Sequence, residues 1–85
     1  MAEERPAFVY LLRCSDGSLY CGWTFDVERR LEAHRTGRAS RYTRSRLPLE
    51  VAAVFEMADA TSARREEGRI KQLSREEKLE LIDGG

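Results

Sequence analysis

Arginine is the side chain best suited to gripping phosphate, because its planar guanidinium can meet two oxygens at once. This chain concentrates it: residues 29–46 hold seven arginines against one acid, Glu32. The flanks are acidic, with five acids and two bases in residues 1–28 and nine acids and six bases in residues 47–85. A formal net charge of zero thus conceals a central block of excess charge +6, the footprint expected of a surface that binds a phosphodiester backbone. Arg38, Arg41 and Arg44 surround Tyr42 in that block, and an aromatic ring among arginines suits a contact to nucleic acid that combines backbone and stacking.

Two more phenols, Tyr10 and Tyr20, lie upstream in residues 8–22, FVYLLRCSDGSLYCG. Strand formers on both sides of an Asp-Gly turn signal predict a β-hairpin. A two-residue loop, Asp16-Gly17, would turn the two phenols to opposite faces. A three-residue loop, Ser15-Asp16-Gly17, sets Cys14 opposite Ser18 and puts both phenols on one face. The second register is preferred. It gives Gly17 the left-handed position that glycine adopts cheaply, and it gathers Val9, Leu11, Leu19, Cys21 and Trp23 on the other face as a core layer.

The next elements must bring further groups to these phenols. Asp26 reads as the N-cap of a helix over 27–36, with Gly37 as its stop. Val27, Arg30, Leu31 and His34 share the inward face, so Arg30 and His34 stand one turn apart while Arg29 points to solvent. Residues 37–47 read as a polar loop with a short helical turn near 40–44, ended by Pro48. EVAAVFEM, residues 50–57, reads as a third strand buried on both sides. Asp59 caps a helix over 60–73 whose stripe is Ala60, Ala63, Ile70 and Leu73. Glu66 and Glu67 flank that stripe, and helix phase alone does not choose between them. Gly68 weakens this helix by about 1 kcal/mol relative to alanine, unless it is there to admit a ligand or another backbone. Ser74-Arg-Glu-Glu77 is a capping box for a last helix, from which Leu79 and Ile82 can pack back.

Eighty-five residues, 41% hydrophobic and 35% charged, predict a single thin-cored domain over residues 7–85 behind a flexible tail at 1–6. No apolar run is long enough for a membrane span, and the acidic N-terminus does not resemble a secretion signal. Cys14 and Cys21 fall on opposite faces of the hairpin. They therefore read as reduced, buried thiols of a cytoplasmic protein. A lone histidine without a CxxC pair argues against a zinc site.

With those residues in view, FVY…YCG resembles the GIY-YIG nuclease signature, with the tyrosines ten positions apart. Arg30 and His34 follow at the expected spacings, and a glutamate comes in a later helix. The segments DVERRLEAHRTG, YTRSRLP and A-x-x-x-E-x-x-x-K (Ala63, Glu67, Lys71) are similar to the small stand-alone bacterial members, and the resemblance spans residues 7–82. It departs from the pattern at Phe8-Val9 and Cys21, and in Trp23, which is bulkier than the usual follower of that glycine. The late asparagine of some catalytic members is also missing.

The resemblance implies an α+β fold with a three-stranded, largely antiparallel sheet flanked by helices. It implies a metal-dependent endonuclease acting on nucleic acid, on DNA rather than RNA and with limited sequence specificity. Glu67 would hold one divalent ion, Mg²⁺ or Mn²⁺. Tyr10 or Tyr20 would deprotonate water, Arg30 would bind the scissile phosphate, and His34 would orient a phenol or carry a proton. Tyr42 would complete the phosphate contacts, and a protein partner would supply targeting. The alternative is a nucleic-acid-binding module of the same fold with little or no catalysis; a purely structural domain is the third reading.

Overall fold

The computed structural model describes residues 5–84, so most of the expected tail lies outside the described residues. Within them Arg5 lays its guanidinium 4.1 Å above the Phe25 ring. The fold is α+β, in the order β1 (Ala7–Arg13), β2 (Leu19–Thr24), α1 (Val27–Arg35), α2 (Arg41–Arg44), β3 (Glu50–Met57), α3 (Ala60–Lys71) and α4 (Arg75–Gly84). The sheet order is β2-β1-β3 with both pairings antiparallel, so β1 is central and β2 and β3 are edges.

The hairpin takes the three-residue loop. Cys14 and Ser18 face each other, joined by the Cys14 N–H to the Ser18 carbonyl at 2.9 Å, and Gly17 has φ +85°. Asp16 tightens the turn by accepting from the Ser18 N–H and hydroxyl. Because side chains alternate along a strand, Val9, Leu11 and Cys21 face one way. There they form the main core with Ala63 and Ile70 of α3, and Trp23, Phe55, Leu81 and Ile82 pack around them. Tyr10, Leu12 and Cys14 face the other way, towards α1 and α2, and are also buried. Both cysteines are free.

The helix caps follow the sequence. Asp26 accepts from the Arg29 N–H and Asp59 from the Ser62 N–H. Ser74 and Glu77 exchange the two bonds of a capping box. Ser40 caps the one-turn α2, taking the Tyr42 and Thr43 N–H groups.

The third strand departs from expectation: it is not buried on both sides, and Val51 and Val54 are each about two-fifths exposed. Two features explain this. β3 is an edge strand, and the pairing slips between Leu11↔Ala53 and Leu12↔Val51. The extra residue flips the alternation and moves Val51 onto the same face as Val54, away from α3. The end of the chain also differs in detail, since Leu81 rather than Leu79 joins Ile82 against the core.

Candidate active site

The centre of the site is Tyr10, 1% exposed, which lies opposite Gly22 in the β1–β2 ladder. A Cβ at Gly22 would stand 2.5 Å from the Tyr10 Oη and 2.7 Å from its Cζ. The phenol therefore lies across the bare backbone of β2, which only glycine permits. Its hydroxyl meets His34 Nε2 at 2.9 Å. On the other side of the imidazole, Nδ1 meets Thr43 Oγ1 at 2.8 Å. Tyr20 completes the cluster, its ring edge-on to His34 with centroids 5.2 Å apart.

Arg30 and Glu67 approach this cluster from different helices. Arg30 is exposed rather than turned inward, with a long contact of 3.5 Å to the Trp23 carbonyl. Glu67 comes from α3, which packs on β1 and β2. Both lie close enough to act on the Tyr10 hydroxyl. Burial pushes that phenol up to about 12; Arg30 works against the rise, and Tyr20 and Glu67 add to it. Burial likewise raises the Cys21 thiol to about 11, with Glu67 the next contributor, so Cys21 stays a neutral filler under the site. Burial first, and Arg30 second, hold His34 below its ordinary value, which keeps the imidazole neutral at pH 7.

Glu66 and Glu67, inseparable by helix phase, part here. Glu66 is taken by Arg69 through a two-pronged pair that lowers its carboxyl. Glu67 is the acid that Tyr10 senses, and it is held by Lys71 at 3.3 Å. Among the described residues no three His, Cys, Asp or Glu side chains form a metal cage. One carboxylate nonetheless suits Mg²⁺, which keeps several waters and takes one or two carboxylates. The Lys71 pair, with its ammonium half exposed, is a weak competitor.

The basic block divides. Arg38, Arg41 and Arg44 are exposed and form no ion pair among the described residues. Tyr42 is already engaged: it stacks on Tyr20 with centroids 5.9 Å apart, and the Arg46 guanidinium covers it at 3.8 Å. Arg46 is itself tied to Asp16 at 2.9 Å and to the Tyr42 carbonyl. Tyr42 thus joins the aromatic cluster and offers a ligand its hydroxyl edge more than an open face for a base. The sequence reading missed Thr43, which is 0% exposed; a lone threonine in an arginine-rich turn carried no signal of that burial.

The geometry agrees with the comparisons. The sequence pattern of the GIY-YIG catalytic domain matches residues 6–80, so the chain belongs to the GIY-YIG family. Within that family it is 51% identical over 80 residues to UPF0213 protein OB0043 of Oceanobacillus iheyensis, covering 94% of this chain and 93% of that one. UPF0213 protein SAG0778 of Streptococcus agalactiae is 46% identical over 77 residues, covering 91% and 88%. Two solution structures share the fold. UPF0213 protein BH0048 of Bacillus halodurans is 40% identical with a TM-score of 0.60, over 92% of this chain and 83% of that one. EF2693 of E. faecalis is 30% identical with a TM-score of 0.66, over 99% and 90%.

Proposed function

We propose that the protein is a metal-dependent phosphodiester hydrolase that cuts nucleic acid, DNA in preference to RNA, with limited sequence specificity. The observation that carries this reading is the Tyr10 hydroxyl, bonded to a buried neutral histidine and within electrostatic reach of Tyr20, Arg30 and Glu67.

Arg30, exposed on the rim, binds the scissile phosphate and stabilises the charge that builds on it. Arg38, Arg41 and Arg44 hold the flanking backbone. Tyr10 is the base and Tyr20 the second phenol beside the phosphate. A phenol raised to about 12 is not ionised at pH 7, so it can take a proton only as it gives up its own. His34 Nε2, at hydrogen-bond distance, is the acceptor. The water oxygen bonds to phosphorus as its proton moves to Tyr10 and the phenolic proton moves to His34. The bond to the leaving sugar oxygen breaks and that oxygen takes a proton from solvent; His34 then returns its proton to Tyr10 as the phenol releases the water's proton to solvent. Glu67 would hold the divalent ion, which when bound supplies polarisation of a phosphate oxygen and stabilisation of the leaving charge.

One observation favours the second reading, a binding module without catalysis: Lys71 already occupies an oxygen of Glu67. A single assay separates the two. Labelled single-stranded, duplex and branched DNA are incubated with the protein, with Mg²⁺ or with chelator. The hydrolase reading expects Mg²⁺-dependent product that chelator and Glu67→Ala abolish, and about a 100-fold lower rate for Tyr10→Phe. Salt-sensitive binding without product would make the binding module correct, and undiminished cutting by Glu67→Ala would overturn the hydrolase reading that runs through Glu67.

A further inference from the structure

His34 and Thr43 are the most enclosed of the buried polar side chains among the described residues, 1% and 0% exposed. They form one chain of hydrogen bonds with Tyr10. We propose that Thr43 is a positioning residue that fixes His34 in the Nδ1–H tautomer, so that Nε2 presents its lone pair to the Tyr10 hydroxyl. The consequence for catalysis rests on reading Tyr10 as the base; the assignment of the tautomer does not.

The geometry at the inner end of the chain sets its polarity, and the charge at the outer end agrees with it. A neutral imidazole has one N–H and one lone pair, and its partners decide which nitrogen carries which. At the inner end, the Thr43 hydroxyl has a single hydrogen, and the Ser40 carbonyl lies 3.3 Å away to accept it. The oxygen is then left to accept from Nδ1–H, 2.8 Å off. At the outer end, the Arg30 charge acts on the Tyr10 hydroxyl, and a cation favours a phenol oxygen whose O–H is turned away from it, towards Nε2. The opposite polarity would leave the Ser40 carbonyl without the threonine proton. A donor pointed at Tyr10 could hold that phenol but could not take its proton, so tautomer and competence as a base are linked. Ser40 caps α2 and sets the turn that carries Thr43, which gives this one-turn helix a purpose beyond display of arginine.

The chain contains one histidine, so ¹⁵N signals of the imidazole report His34 alone. The expected result for the parent near neutral pH is a protonated Nδ1 and an unprotonated, hydrogen-bonded Nε2. Thr43→Ser keeps this pattern. Thr43→Val, which keeps the branched shape without the hydroxyl, loses the preference for Nδ1–H, and kcat falls about tenfold at unchanged KM, the loss of roughly one hydrogen bond. Thr43→Ala takes the place of the valine variant if the latter does not fold. A parent carrying Nε2–H, or a hydroxyl-free variant that keeps the Nδ1–H pattern, would overturn the assignment. A parent with the Nδ1–H pattern that cleaves nothing would instead overturn the hydrolase reading and leave the role of Thr43 standing.

Discussion

The closest approach in the site involves a residue with no side chain. Gly22 lets the Tyr10 ring cross β2 within the space a methyl group would need. Gly22→Ala is therefore expected to force the phenol off His34: cleavage falls at least as far as in Tyr10→Phe, while denaturation shows a loss of only about 1–3 kcal/mol from overpacking. A variant as active as the parent would mean that the phenol has another way to its place. The glycine was legible in sequence as part of a signature; that it exists for Tyr10 was not, because a steric requirement between paired strands appears only once the register is known. His34 shows the same division. Its spacing from Arg30 was readable, but its burial and its two partners were not. Its titration has a measurable consequence. The folded value lies below the unfolded 6.5, so the unfolded chain binds the proton first as pH falls. The stability from a neutral His34 is complete above about 6.5 and declines below it, down to the folded value. Urea denaturation from pH 7.5 to 5.5 should show that decline, and Tyr10→Phe, which leaves Nε2 without its partner, should lower the plateau by about 1–3 kcal/mol.

At the level of elements, local chemistry was the readable part. The Asp-Gly turn, the caps at Asp26 and Asp59 and the Ser74–Glu77 box are contacts between near neighbours, and they stand where their residues put them. The unreadable features depend on what lies alongside. EVAAVFEM has the pattern of a doubly buried strand, yet it takes an edge and slips by one residue against β1, which its own composition does not encode. Tyr42 looked free to stack on a base because Tyr20 and Arg46 are distant in sequence. Gly68 offers a test at this scale: a Cβ there would meet nothing within 4 Å, so no protein group requires the glycine. Gly68→Ala should stabilise α3 by about 1 kcal/mol, read as a higher Tm. A fall in Tm would reveal an unrecognised constraint at this position.

For the molecule as a whole, the sheet divides the labour. One face, packed by α3 and α4, carries the apolar core. The other, under α1 and α2, buries tyrosine, histidine and threonine in a connected polar layer. Arg30 and Glu67 come from helices on opposite faces, and the charges of both act on the Tyr10 phenol, beside the β2 edge where no further strand closes the sheet. No helix among the described residues is long and apolar enough to cross a membrane.

That convergence is most directly tested by titrating Mn²⁺ into the ¹⁵N-labelled protein, whose mass of 9.8 kDa suits NMR, and following paramagnetic broadening. Signals of Glu67, Tyr10 and residues 20–22 and 30 are expected to broaden first, and Glu67→Gln to remove the effect. Broadening centred on the acidic first turn of α4, at Glu76 and Glu77, or unchanged by Glu67→Gln, would contradict that convergence.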